Sequence, residues 1–187
     1  MKYSFRKSAF EKEKSYELTE SGIQIIDHDG TQSTIFYDDI QEVNPSYMAT
    51  KNNSFYQCIL KLRSGEKVLI KSQHYRGIAD FEDRSADYAA FIVGLHKVLT
   101  AAGQGIVYKK GIGKVAYFFS MLIFIVASIL FPLSAIGMLV TGNLPFGAIA
   151  LILSIFLIMR MIKYSKKNKP GHYTPDDIPK ALLPATA

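Results

Sequence analysis

The sequence predicts an α+β protein: a curled antiparallel sheet of up to seven strands, capped by an amphipathic helix and followed by a transmembrane α-helical hairpin. Three observations carry this reading. Short segments of alternating polarity recur through the first 71 residues, separated by Ser-Gly and Asp-Gly turns. An apolar helical stripe follows at residues 88–102. From Val115 to Met159 no charged residue occurs at all.

The strands come first. Tyr16–Thr19 leads through Glu20-Ser21-Gly22 into Ile23-Gln24-Ile25, and Asp29-Gly30 marks a second turn before Thr34–Tyr37. From Tyr56 the period is two, with Tyr56, Cys58, Leu60 and Leu62 on one face. Ser64-Gly65 then turns the chain into Val68 and Ile70, which alternate with Lys67 and Lys71. Phe5–Phe10 and Ile40–Met48 complete the set of candidate strands. The helix is marked by Tyr88, Phe91, Ile92, Leu95, Val98, Leu99 and Ala102, spaced as one face of a 3.6-residue period. Asp83 or Ser85 can cap its start and Gly103 its end. Gly94, inside the stripe, predicts that something packs closely there. The resulting domain spans residues 1–105, and a Gly- and Lys-rich joint follows at 106–114.

A hydrocarbon core of about 30 Å needs about 20 apolar residues as helix. The uncharged stretch is about twice that and is broken by Thr141-Gly142-Asn143-Leu144-Pro145. Two spans follow, 115–139 and 145–162, joined by an external loop at 140–144, with Pro132 as a site of bending in the first. A basic, Pro-containing tail takes up 163–187. Small residues recur at Ser120, Ala127 and Ser134 in the first span, and at Gly147, Ala150 and Ser154 in the second. These predict a seam along which helices pack closely.

Charge sets the orientation. Residues 1–110 are nearly balanced, with 15 Lys and Arg against 14 Asp and Glu, whereas 111–187 carry 7 against 2. Lys109, Lys110 and Lys114 precede the first span; Arg160, Lys163, Lys166, Lys167 and Lys169 follow the second. The loop between has no charge, so both termini are expected in the cytoplasm of a protein that crosses the membrane twice. These cations, together with Arg6, Lys7, Lys12 and Lys14 near the start, are the candidate contacts to an anionic lipid surface, each worth ~1 kcal/mol there. The first fifteen residues hold no apolar run of the kind a cleavable signal needs, and the single Cys58 suits a reducing compartment. A surplus that flanks an apolar segment, rather than lining one folded face, argues against nucleic acid as a partner.

The spacings Tyr16-x-Leu18-Thr19-x3-Gly22-Ile23-x-Ile25 and Ile35-x-Tyr37-x2-Ile40-x2-Val43, with the final amphipathic helix, resemble the bacterial pleckstrin-homology-like (PH-like) domains of small membrane proteins. The resemblance covers roughly residues 3–102. The tail from Tyr173 to Pro184 is similar to tails of such proteins. The resemblance implies a binding or scaffolding domain at a bacterial inner membrane and no reaction. Lipid-binding PH domains carry clustered cations between their first two strands; here Glu11 and Glu13 interrupt Arg6, Lys7, Lys12 and Lys14, a departure from that pattern.

Catalytic signatures are missing. Gly111-Ile112-Gly113-Lys114 lacks the phosphate-loop glycine, Tyr108 standing at that position, and the Ser or Thr, where Val115 stands. Asp27-His28-Asp29 and Asp38-Asp39 fall at predicted turns without a metal-loop spacing. His74 is expected in a loop, His96 on the non-core side of the helix, and Cys58 as a buried apolar thiol. No catalytic residue, metal ligand or cofactor is therefore expected. In the tail, Thr174, Pro175 and Asp176-Asp177 form a helix-start signal, and Ile178, Leu182 and Leu183 an apolar edge expected to dock on the protein's own domain or on a partner.

The function read from all this is non-enzymatic: a cytoplasmic PH-like binding or scaffolding domain tied to the membrane by two helices. Its expected partners are membrane lipid and a protein partner or second copy. A structural or assembly subunit of a larger membrane complex is the alternative, and a membrane enzyme with an unrecognised site the third reading.

Overall fold

The computed structural model describes residues 1–49, 54–103 and 105–184. It is an α+β structure of two compact units: Met1–Gly111 with the returning segment from Gly171, and Ile112–Pro170.

The first unit opens with an antiparallel meander, β1 (Lys2–Phe5), β2 (Lys14–Leu18), β3 (Gly22–Ile26) and β4 (Gln32–Phe36). A 3-10 turn at Tyr37–Asp39 leads to a second meander, β5 (Ile40–Ala49), β6 (Ser54–Leu62) and β7 (Lys67–Lys71). The β6–β7 connection is longer than the Ser64-Gly65 turn expected. Leu62 N–H donates to the Glu66 carbonyl, and Gly65 takes the left-handed φ of +91° that closes the loop. A small hairpin follows, β8 (Gln73–Gly77) and β9 (Asp80–Asp83), then α1 (Ser85–Ala101). Two further strands extend the second meander. β10 (Val107–Lys110) runs parallel to β5, and β11 (Gly171–His172) pairs antiparallel with β10.

The described residues thus form eleven strands in three sheets, where the sequence predicts up to seven in one curled sheet. The additional strands lack alternation: β8 is Gln-His-Tyr-Arg-Gly and β10 is Val-Tyr-Lys-Lys. The first strand also lies earlier than Phe5–Phe10, because Tyr3 and Phe5 are the pair that face inward.

One core joins these elements. Tyr3, Phe5, Tyr16, Ile23 and Ile35 from the first meander meet Val43, Cys58, Leu60 and Ile70 from the second, and α1 closes the assembly with Tyr88, Phe91, Ile92, Leu95 and Leu99. Val98 packs against this cluster, whereas Ala102, the last predicted stripe residue, is exposed beyond the helix end. Asp83 accepts a hydrogen bond from the Ser85 N–H at 3.0 Å, and Gly103, at φ +65°, ends the helix. The close packing expected at Gly94 comes from Met1 and Leu18, whose side-chain atoms would lie 2.9 and 3.4 Å from an added Cβ.

Gly22 is tighter still. An added Cβ would collide with the Ile35 carbonyl oxygen, a backbone atom of the β3–β4 ladder that cannot move aside. We expect Gly22→Ala to destabilise the domain by about 2–3 kcal/mol, the upper part of the ~1–3 kcal/mol typical of overpacked cores. A chemical-denaturation midpoint equal to that of the parent would disprove the constraint.

The second unit is the helical pair α2 (Lys114–Val140) and α3 (Leu144–Asn168). At 1.5 Å per residue they run about 40 and 38 Å, enough to cross a hydrocarbon core. Both are longer than the predicted spans, and Pro132 lies within a continuous helix. The turn between them has a chemical cause. Gly142 adopts φ +81°, its N–H donates to the Leu139 carbonyl, and Asn143 N–H donates to that of Met138, the paired bonds of a Schellman end. Pro145 then starts α3.

Ala135, Gly147 and Ser154 are buried along the seam; a Cβ on Gly147 would approach Leu139 to 2.6 Å. Tyr117 and Ser165 share a 2.7 Å hydrogen bond between hydroxyls nearer the helices' other ends. Ser120, Ala127 and Ala150 are half-buried, but Ser134 is exposed and its hydroxyl donates to the Phe131 carbonyl. Ala135, one residue further round the helix, holds the buried position there.

Candidate functional site

Two features of the first unit bring chemistry-bearing side chains together: a basic cleft and a clasp that holds the returning tail. The cleft opens where the β1–β2 loop faces β7. Phe5, Tyr16 and Ile25 supply apolar lining, and Lys7, Lys12, Lys14 and Lys67 bring cations to a space of about 190 Å³. Glu11 and Glu66 are the carboxylates in the lining. Lys7 pairs with Glu11 and Lys14 with Asp27, both at 2.8 Å. Lys12 and Lys67 have no carboxylate within 4.0 Å among the described residues. Burial, followed by the nearby Lys7 charge, lowers the pKa of Lys71 on the same strand as Lys67. The chemistry on offer is capture of a small anion by a cationic surplus, four lysines against two glutamates in the lining.

Arg6, expected with these lysines, has another task. Its guanidinium donates to the carbonyls of Glu11 and Ala9 at 2.8 and 2.9 Å and lies over the Tyr75 ring, so it shapes the loop. Lys67 joins the cleft although the sequence reading gave it no such role. Lys109 is paired with Glu42, and Lys110 lies beside Gly171 at the β10–β11 pair. The remaining candidate cations belong to the second unit: Lys114 starts α2, Arg160, Lys163, Lys166 and Lys167 lie within the C-terminal part of α3, and Lys169 follows it. Arg160 packs over the Phe156 ring.

The clasp corrects the placement of His96. Far from lying on an open helix face, His96 is 2% exposed. Its ring is flanked by Tyr108 from β10 and Tyr173 from the tail, with centroids 5.5 and 5.7 Å away. Nδ1 lies 2.7 Å from the Ile92 carbonyl, which only accepts, so Nδ1 carries the proton; Nε2 then accepts from the Tyr173 hydroxyl at 2.6 Å. No helix forms at the tail's start signal. Asp177 N–H closes a turn onto Thr174, and a 3-10 turn spans Lys180–Leu182. Leu182 is 2% exposed, Leu183 packs against the core cluster and Ile178 is half-buried.

His74, expected in a loop, lies in β8, where its Nδ1 faces the Arg6 N–H at 3.2 Å. Cys58 is fully buried and burial pushes its thiol up to about 12, away from nucleophilic use. No group of three or more metal-binding side chains occurs among the described residues.

No family model, curated protein or solved structure matches this chain.

Burial lowers the His96 pKa below its ordinary 6.5, outweighing the Ile92 carbonyl that raises it. The folded state then holds a neutral ring, while the unfolded chain takes up a proton as pH falls through 6.5. The stabilisation is complete above that value and is lost as pH falls through the lowered folded one. His74 is shifted the same way, by burial and then by Arg84. We expect thermal stability to fall between pH 7.5 and pH 5 and the slope to flatten in His96→Gln. A slope unchanged in that variant would remove His96 as its source.

Proposed function

We propose that the protein is a non-enzymatic integral membrane protein that presents a cytoplasmic, PH-like binding or scaffolding domain at the surface of a bacterial inner membrane. The observation that carries the membrane part is the helical pair. Both helices are long and apolar, yet only 6% and 11% of their most apolar windows are buried. Large side chains such as Phe118, Ile123, Leu133, Phe146 and Ile152 are uncovered. Water would penalise each by roughly 1.5–3 kcal/mol relative to an apolar surround, and a bilayer supplies that surround.

A four-stranded meander, a second meander and a closing helix support the PH-like resemblance. Lys12 and Lys67, with no carboxylate within 4.0 Å among the described residues, support an anionic lipid headgroup as a ligand of the cleft. The assembly-subunit reading draws on one observation: Ser134 and Gly137 lie exposed on α2 and Thr141 at its C-terminal cap, and a Cβ at Gly137 would meet nothing within 4 Å.

Retention in the membrane pellet after alkaline carbonate extraction tests the anchor, and reporters fused after Ala187 and within 141–143 test the orientation. A cytoplasmic C-terminus with an exported loop is expected; an exported C-terminus overturns the topology. For the cleft, Lys12→Gln with Lys67→Gln removes about 2 kcal/mol of surface attraction, about thirty-fold in affinity for anionic vesicles. Equal binding by this double variant would remove the cleft from the reading.

A further inference from the structure

We propose that the β1–β2 loop and the β8–β9 turn insert Phe10 and Ile78 into the interface of a lipid bilayer. The inference rests on the membrane anchoring proposed above and adds an apolar contact to the cationic one.

Both side chains are almost bare. Phe10 is 98% and Ile78 96% exposed, while no other large apolar side chain described in the first unit exceeds 57%. Apolar residues scattered singly over a surface are ordinary, but the fold ties these two together. Tyr75 N–H donates to the Arg6 carbonyl at 2.8 Å. The Arg6 guanidinium donates to the carbonyls of Ala9 and Glu11, one on either side of Phe10, and lies over the Tyr75 ring. Tyr75 in turn packs edge-on against Phe81 of β9, and Arg76 pairs with Glu82 at 2.8 Å. Gly77 lies opposite Asp80, which leaves Ile78-Ala79 as the turn. Two-residue turns favour Asn, Asp and Gly. Here Ala79 takes φ +58°, a left-handed backbone uncommon for a residue with a Cβ. Local rules of this kind are broken chiefly at functional sites.

Area, charge and connection select lipid as the occupant. Two isolated side chains on turns supply a small part of the roughly 800 Å² per partner that a specific protein interface buries. A bilayer needs no matching surface, because its headgroup region yields around each apolar group. Charge agrees. Glu11 and Lys12, which follow Phe10 directly, line the basic cleft together with Lys7, so the apolar tip borders the space assigned to an anionic headgroup. Apolar side chains beside lysines are the pattern of segments that lie in the interface, with lysine at the headgroups and the apolar group at the acyl boundary. The chain connection adds proximity. Only residues 111–113 lie between β10 and α2, and only 169–170 between α3 and β11. A bilayer crossed by α2 and α3 is therefore held at high effective concentration, so a weak insertion is populated.

The chain has no tryptophan, so Phe10→Trp and Ile78→Trp each install a single fluorescent probe at a site where a larger ring meets no core. Phe36→Trp is the control. Phe36 is 53% exposed and, by the strand register, lies at the opposite end of the first meander from the β1–β2 loop. Each full-length variant is reconstituted into phosphatidylglycerol–phosphatidylethanolamine liposomes, with or without lipid brominated about 5–10 Å into the acyl boundary, the depth of interfacial side chains. Retention of the protein in these liposomes after alkaline extraction reports the anchoring reading and is scored apart. In retained chains, emission from positions 10 and 78 is expected to shift to the blue and to be lost to bromolipid, whereas emission from position 36 keeps its intensity. The loss is expected to persist at about 1 M salt, where screening shortens to ~3 Å. Adding Ile78→Ser to the Phe10→Trp chain should cut its quenching at least about twofold, because the two tips share one docking event. Quenching at 10 and 78 no greater than at 36, or quenching abolished by salt, would overturn the proposal. So would a blue shift without bromolipid quenching, the mark of a protein contact over the tips.

Discussion

A chain in which Asn-Gly replaces residues 111–170 is expected to be soluble without detergent and to unfold in one cooperative transition. The physical basis is the β10–β11 pair. Lys110 lies opposite Gly171 and Lys109 opposite His172 in antiparallel register, so the chain leaves and re-enters the first unit on neighbouring strands. Asn-Gly is the two-residue connection such a pair favours, because both positions tolerate the left-handed backbone that matches strand twist. Simple truncation after residue 105 is expected to behave very differently. It removes Ile106, Tyr108 and Leu182, all buried, each worth roughly 1.5–3 kcal/mol. It also opens the outer edge of β5 and uncovers His96. Against a typical total of 5–15 kcal/mol, that loss leaves the truncated domain marginal or unfolded. Circular-dichroism melts and sedimentation of the two chains decide the matter. An aggregated hairpin-replaced chain, or a truncated chain of equal stability, would show that the tail and β10 are not integral to the domain.

Leu95→Asp and Leu182→Asp both place a carboxylate where a leucine is buried, yet their effects should differ in kind. Leu95 is 0% exposed at the centre of the α1 face. A charge there has no route to water short of unfolding, and an uncompensated buried charge is worth about 3–5 kcal/mol. For a domain of this size we expect a fall on the order of 15 °C in melting temperature. Leu182 is as well buried but lies beside Pro184, in a segment held by a short strand pair, the Tyr173–His96 hydrogen bond and a few side chains. Undocking that segment returns the new charge to water, so the loss is capped by the tail's own docking free energy. Hydrogen exchange in the Leu182→Asp chain should speed up across residues 173–183 while the amides of Ile92 and Leu95 stay protected. If tail exchange is unchanged, Leu182 does not hold the tail; if α1 loses protection equally, tail and helix form one cooperative unit.

The parts of this protein legible in the sequence are those whose cause is short-range. The α1 stripe, the β6–β7 alternation and the two apolar helices each repeat a period that a window of a few turns displays. The turn at Gly142 is a local hydrogen-bonding solution that needs only one residue with left-handed freedom. Tertiary structure decided the rest. Val107–Lys110 looks like part of a flexible joint because a four-residue strand ending in two lysines has no period to read. It becomes a strand because β5 offers an unpaired edge on one side and Gly171–His172 arrives on the other. His96 is polar and off the apolar stripe, so its burial follows only from the arrival of Tyr108 and Tyr173, which complete its hydrogen bonding and exclude water. Lys67 joins Lys12 in the cleft because two meanders distant in sequence share one core. Local periodicity fixes which face of an element is apolar. Which element covers that face depends on backbone edges and partners brought together from far along the chain, and no window of sequence contains both.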